Sequence, residues 1–274
     1  MTRLAIFASL ACLLASNAFG DEALTAIARI RSAASYKAHV KHEWREREGI
    51  WPFRHDAIRF RIEAKTIDLQ GSGSGWVLSG SSGDVMVTAA HVIQLNTSPA
   101  SVDGRNVDGK YAWISERKIT CLVGGLAFQP TEFAPLELKP SHAPAQPLDL
   151  VLLRFAKREA LKGLKEYRMA DRLPKLGEKV TAIGLPSTDF PQPAEISVVH
   201  VEIGAGFFVL NESLPPGYSG GVVIDEKGRA LGVVTGQTNK QTTVLMINNA
   251  LVRTANYRRF NELVEWHSFA LPKR

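Results

Sequence analysis

Cysteine is almost absent from this sequence. Cys12 and Cys121 are the only two in 274 residues. An internal disulfide therefore has one possible pairing, and none if Cys12 is removed with the N-terminus. Stability must then come from a hydrophobic core, and 45% hydrophobic residues in a chain of this length allow a sizeable one. Cys121 lies in the apolar stretch KITCLVGGLAF, which predicts a buried, inert thiol. A long tract of one charge is also missing. The formal charge is +6, but the basic clusters HEWREREG and RTANYRR are short and mixed, so a solvated basic surface accounts for them and no nucleic-acid partner is expected. Beyond the N-terminus no apolar run is long enough to cross a bilayer. No cofactor motif is visible, and none is expected. His39, His42, Glu43 and Glu46 would share a face of a helix, yet no further ligand pattern accompanies them, and a plain charged face is the expectation rather than a metal site.

The N-terminus is the exception to the missing apolar runs. Arg3 precedes an apolar stretch from Leu4 to Ala15, and Ala18-Phe19-Gly20 fits a cleavage site before Asp21. Residues 1–20 read as a secretory signal peptide, which predicts a periplasmic or secreted protein with no integral membrane segment after cleavage. The alternatives are a buried N-terminal helix and a lipid anchor on Cys12. Cleavage would remove one basic residue and leave 32 basic against 27 acidic side chains.

From Asp21 to Glu48 the chain has no proline or glycine, and Leu24, Ile27 and Ile30 fall at helical spacing. Residues 21–55 are therefore expected to form a helical extension, serving as propeptide, cap or oligomerisation arm. From about Asp56 the pattern changes. AIRFRIEA alternates apolar and charged residues, and short apolar runs follow, separated by Gly, Ser, Asn or Asp. PTEFAPLELKPSHAPAQP reads as an extended surface loop and DEKG as a hairpin turn. The polar stretch KREALKGLKEYRMADRLPKLGE, residues 157–178, divides two groups of about six short strands. The tail from Asn249 to Phe269 lacks Pro and Gly and reads as a helix. The expected architecture is all-β: two six-stranded β-barrels over about 56–156 and 177–248, flanked by the N-terminal helical extension and a C-terminal helix. No internal repeat is visible.

Chemistry concentrates at PPGYSGGVVID, residues 215–225. Glycines around Ser219 bare the backbone N–H groups beside a hydroxyl, as an acyl-transfer site requires, although a plain Gly-rich β-turn has the same composition. A serine hydroxyl needs a base, and the base needs an orienting carboxylate. VMVTAAHVI supplies His91, where an apolar strand ends in small residues. The six other histidines lack that setting, and His200 reads as a strand-face residue. QPLDLVLLRF supplies Asp149 at the head of an apolar run. It is either the orienting carboxylate for His91 or a turn residue capping the strand.

Taken in order, GSGWVLS, VTAAHV, DLVLLRF, GEKVTAIGLP and GYSGGVVID resemble the successive signatures of trypsin-like, chymotrypsin-fold serine proteases, and most resemble bacterial HtrA-like catalytic domains without disulfides. The resemblance covers Ile58 to the C-terminal segment. It implies that Ser219 is the nucleophile, His91 the general base and Asp149 the orienting group. The N–H groups of Gly217 and Ser219 would form the oxyanion hole. It further implies that polypeptides are the substrates and that the strand through Val234, Thr235 and Gly236 pairs with extended substrate as an edge strand. Ser213, six residues before the nucleophile, would floor the primary pocket, and its lack of charge implies small or medium apolar side chains rather than Lys or Arg. Tyr218 departs from the usual Asp or Asn and is expected to add bulk at the mouth of the site. No PDZ module is expected after the C-terminal helix. A catalytically latent binding or chaperone-like module on the same fold is the competing function. Oligomeric state is not written in any pattern of the sequence.

Overall fold

The computed structural model describes residues 27–49, 55–79, 85–93, 101–102, 105–106, 112–123, 125–138, 146–156, 158–186, 192–238, 240–247 and 267–268. The strands are β1 Ala28–Glu48, β2 His55–Leu78, β3 Val85–Thr88, β4 Ser101–Val102, β5 Arg105–Asn106, β6 Ala112–Val123, β7 Leu126–Phe128, β8 Glu132–Leu138 and β9 Gln146–Arg154. They continue with β10 Glu166–Tyr167, β11 Lys179–Gly184, β12 Gln192–Glu202, β13 Phe207–Leu210, β14 Val222–Ile224, β15 Ala230–Gln237, β16 Thr242–Met246 and β17 His267–Ser268. The protein is all-β, as expected, with short 3₁₀ turns at Ala90–Ile93 and Arg158–Leu161.

The expected helix over residues 21–55 is absent where the chain is described. Ala28–Glu48 is instead a strand in register with β2 from Ala28↔Gly75 to Glu48↔His55, and with β6 from Arg29↔Leu122 to Ala38↔Ala112. Ala28, Ile30, Ser32 and Ala34 are buried while Arg31 and Ala33 are exposed, which is the two-residue period of a strand. The Ala, Arg and Lys content favours helix only weakly, and pairing on both edges overrides it. From Ala28 this segment lies inside the first sheet. The charged helical face through His39, His42, Glu43 and Glu46 does not form, because these positions belong to β1.

The first half of the molecule is a nine-stranded sheet in the order β17-β8-β9-β3-β2-β1-β6-β7, with β10 added against β2, and it does not close among the described residues. The second half is a closed barrel, β11-β12-β13-β16-β15-β14. One six-stranded barrel of the expected pair is thus present, and the other is an open half-barrel whose strands begin before residue 56. The proline-rich stretch read as a loop contains β8, in which Pro135 lies opposite Val151 beside a register shift. A bulge lets a strand carry proline without losing its ladder. DEKG is the hairpin turn between β14 and β15, closed by the Gly228 N–H on the Asp225 carbonyl at 2.9 Å. The predicted C-terminal helix, Asn249 to Phe269, lies outside the described residues except for His267–Ser268, which form a strand against β8.

Three apolar clusters hold these parts. Ile30, Val77, Met86, Ile93, Cys121 and Leu153 fill the first half. Val180, Val198, Phe208, Leu210, Val223 and Val244 fill the barrel. The third cluster welds the two, joining Trp76, Leu78, Val87 and Leu152 to Ile183, Leu185, Val222, Val233 and Leu245. Burial of Cys121 raises its thiol to about 12, so the inert thiol expected from the sequence is what the fold makes. β2 changes partner near Gly75, where a Cβ would lie 2.5 Å from Met86 Sδ and 2.6 Å from Ile30 Cδ1. A side chain there would have to push aside the ends of Met86 and Ile30, and just beyond it β2 pairs with β3 at the seam between the halves.

Candidate active site

His91 leaves the end of β3 in the 3₁₀ turn Ala90–Ile93, anchored by buried Ala89, Ala90, Val92 and Ile93. Its small predecessors pack without gaps, while its own ring stays 40% exposed. Asp149 lies within β9 rather than at its head, immediately before the buried run Leu150–Leu153. The carboxylate grips His91 twice. Oδ2 is 2.6 Å from Nδ1, and Oδ1 accepts the His91 backbone N–H at 2.8 Å. Asp149 thus contacts both the imidazole and the backbone of the same residue. With Nδ1 facing the carboxylate, Nε2 is the ring nitrogen free to handle a proton.

Ser219 arrives from the second half, on the turn before β14. Its carbonyl accepts the Ser74 N–H at 2.7 Å. A Cβ placed on Gly73 would meet this carbonyl at 2.5 Å and the Val92 side chain at 2.6 Å. The residue after His91 and the backbone of Ser219 therefore converge on one point of β2. The turn itself is set by two glycines with positive φ, Gly217 at 101° and Gly220 at 81°. A Cβ on Gly217 would stand 2.1 Å from the Leu185 carbonyl, and one on Gly220 would stand 2.1 Å from the Ser74 carbonyl. Both positions need glycine for conformation and for space. Among the described residues, neither the Gly217 nor the Ser219 N–H has a backbone acceptor.

Several sequence expectations change here. Tyr218 does not crowd the mouth. It is 3% exposed, packs its ring against Gly184, and donates its hydroxyl to the Gln192 carbonyl at 2.7 Å. Burial raises its phenol, which keeps it a donor. The aromatic side chain finds its place in the barrel core because Gly184 leaves room for it. Ser213 is exposed, which does not suit the floor of a pocket, while the adjacent Leu214 is buried. β15 is not an edge strand, since β14 and β16 flank it in the closed barrel. Val234 is buried, and its N–H and C=O are taken by Gly221 and Gly220 at 3.0 and 2.8 Å. The β14 ladder ends at Val222↔Val233, so from Thr235 onward β15 keeps a ladder only with β16, through Gly236↔Thr243 and Gln237↔Thr242. Thr235 and Gly236 are half-buried along that segment. His200 is an exposed strand residue, as expected.

Ser74 was not singled out from the sequence. It is fully buried, its Oγ donates to the Gly217 carbonyl at 2.7 Å, and the same oxygen accepts the Leu185 N–H at 2.8 Å. Its carbonyl also takes the Thr88 hydroxyl at 2.7 Å. Only its place in the alternating GSGSG run hinted at close backbone approach. Asp225 is a second omission. Its buried carboxylate accepts the N–H groups of Lys227 and Arg229 at 3.0 and 2.9 Å and pairs with the Arg229 guanidinium. Burial alone would raise this carboxyl, but those donors outweigh it and hold it below the usual carboxylate range.

A histidine–carboxylate pair on one sheet and a glycine-framed serine on the turn before a β-barrel strand, joined by β2, are features of an all-β, two-part peptidase class. Residues 73–233 match the trypsin-like peptidase domain, and the chain belongs to that family. Among solved structures the fold is similar to the active form of the Rv3671c protease from M. tuberculosis, at 20% identity, with 85% of this chain and 81% of that one covered and a TM-score of 0.47. The inactive form of the same protease aligns at 21% identity over 68% of this chain and 85% of that one, with a TM-score of 0.44. A serine endoprotease from Yersinia pestis aligns at 15% identity over 89% of this chain and 66% of that one, with a TM-score of 0.48. No curated protein sequence matches the chain.

Proposed function

We propose that this trypsin-like protease is an exported serine endopeptidase in which Ser219, His91 and Asp149 act as the triad. Ser219 Oγ attacks the carbonyl carbon of the scissile peptide as His91 Nε2 takes its proton. The proton passes to the leaving amine, the C–N bond breaks, and an ester links the acyl group to Ser219. Water then attacks the ester by the same route in reverse. Asp149 fixes the imidazole and stabilises its cationic form. The N–H groups of Gly217 and Ser219 bind the developing oxyanion. The observation that carries this reading is the double contact of Asp149 with His91, on ring and backbone, in a pair that retains solvent access.

Substrate would lie extended along Thr235–Gln237 of β15, where the β14 ladder has ended, and add its backbone as a strand. Removal of residues 1–20 as a signal peptide would leave the buried Ile27 and the whole of β1 in the mature chain. No described helix is long and apolar enough to cross a membrane. Ser219→Ala should abolish both casein fragmentation and labelling by a fluorophosphonate, a loss in kcat of about a millionfold on the scale of other serine proteases. Equal labelling of the variant and the parent would remove Ser219 from the mechanism, and intact casein with the parent would favour a latent binding module.

A further inference from the structure

The turn that carries Ser219 is bonded from the other half of the molecule by Ser74, through its hydroxyl and its N–H. Gly217 has φ of 101° and no side chain, so its own residue type imposes no single orientation on its peptide groups. Something outside the turn must fix them. The Gly217 carbonyl is bound by Ser74 Oγ at 2.7 Å, and the following N–H, of Tyr218, makes only a long contact of 3.4 Å to the Pro215 carbonyl. Ser74 Oγ also receives the Leu185 N–H at 2.8 Å, and the Leu185 carbonyl is the atom against which Gly217 packs. A single buried oxygen thus ties together the two backbone segments that flank the proposed oxyanion donor. A further cross-sheet bond supports the same segment, from Arg29 Nη2 to the Pro186 carbonyl at 2.9 Å. The Ser74 N–H meanwhile fixes the carbonyl of Ser219 at 2.7 Å.

We propose that Ser74 is a positioning residue for the oxyanion site: its hydroxyl holds the Gly217–Tyr218 peptide against Leu185, so that the Gly217 N–H stays aimed at the developing oxyanion. This rests on the proposed serine-protease mechanism. Ser74 touches no substrate and transfers no proton. Its hydroxyl is satisfied on both sides, as donor to Gly217 and acceptor from Leu185, and Ser74 itself is fully buried. Loss of the oxygen leaves a part-buried carbonyl and a buried N–H without this partner, and the turn relieves this by rotating at Gly217. Removal of an oxyanion donor elsewhere costs a hundredfold to a thousandfold in kcat, and a misaimed donor should cost part of that.

The test compares Ser74→Ala, Ser74→Thr and Ser74→Cys with the parent enzyme. Cleavage of a peptide that the parent cleaves is measured, together with inhibition by a peptidyl trifluoromethyl ketone and by the corresponding product peptide. For Ser74→Ala the expected result is a kcat lower by about ten- to a hundredfold with KM within threefold. Affinity for the ketone, whose adduct is an oxyanion, should fall by a similar factor, and affinity for the product peptide should hold. Ser74→Thr, which keeps the hydroxyl, should recover most of kcat. If Ser74→Ala fails to fold, Ser74→Cys, with nearly the same volume and a poorer donor, takes its place with the same expected split. Parent-like kcat in the folded variant overturns the assignment, as does a loss confined to KM or equal weakening of ketone and product peptide. A parent protein that cleaves nothing would instead strike the proposed mechanism itself, before Ser74 is at issue.

Discussion

Gly220 stands where two demands meet. Its φ of 81° is left-handed, and a Cβ would fall 2.1 Å from the Ser74 carbonyl and 2.3 Å from Thr88 Oγ1. The carbonyl belongs to backbone and cannot swing away. Gly220→Ala should therefore cost about 2 kcal/mol or more from conformation and overlap together. The same change should lower kcat more than KM, because the displaced turn carries Ser219 and its N–H. Thermal melting and steady-state kinetics on one preparation check both, and parent-like values in both would mean that the turn tolerates a shift the structure gives it no room for. His91 and Asp149 were readable as single residues because their surroundings are local: small residues before the histidine, an apolar run after the aspartate. Ser74 and the inward side chain of Tyr218 were not. Each is defined by a partner more than twenty residues away, Gly217 and Leu185 for one and Gln192 for the other.

At the scale of elements, β1 and β2 outlast the sheet they belong to. β1 pairs with β6 only as far as Ala38↔Ala112, yet its ladder with β2 continues to Glu48↔His55. Beyond Ala38 the described ribbon is two-stranded, laced by Arg59 to Glu48 and by Arg59 to Glu46 at 3.6 Å. Exposed pairs of this kind contribute little, and an isolated hairpin is marginal in water. Replacing residues 39–64 by a short Gly-containing turn between Ala38 and Lys65 should leave the melting temperature within about 3 °C of the parent, since the exposed Arg59 ion pairs contribute less than about 1 kcal/mol. A drop of ten degrees or more in a melting scan would instead reveal that the outer ribbon supports the sheet. The helix expected here failed for a physical reason. Alanine, arginine and lysine lower the cost of a helix by tenths of a kcal/mol each, whereas β1 gains a ladder on both edges and buries Ile30.

At the scale of the whole molecule, the two halves meet through the apolar cluster around Trp76 and Leu185 and through Ser74, while a charge cluster around the buried Asp225 carboxylate holds the barrel turn. Arg172 joins Glu178 to Asp225, and Arg229 joins Asp225 to Asp171. Glu178 is also held below its ordinary value, first by its hydrogen bond from Arg172. For both carboxyls the folded value lies below the unfolded one. Their stabilisation is therefore complete above the unfolded carboxylate range of about 4 and is lost as pH falls through the folded values. Urea unfolding should show a midpoint that declines below about pH 4. Asp225→Asn should lower the midpoint at pH 7 and flatten that decline, because the variant has lost the buried carboxylate whose protonation contributes to it. A variant with the parent's slope would assign acid sensitivity to other groups.

The sequence by itself determined the strand-rich class, the division into two halves, the buried thiol and the order of His91, Asp149 and Ser219. These depend on alternation, on turn residues and on side chains flanking each position, all of which are local. Tertiary structure alone decided that an alanine- and arginine-rich segment is a central strand, that one half closes while the described part of the other stays open, and that β15 has neighbours on both sides. It also decided which way Tyr218 points and which hydroxyl bonds the turn before β14. The physical reason is the same in each case: the deciding energy comes from pairing and packing between residues that the sequence keeps far apart.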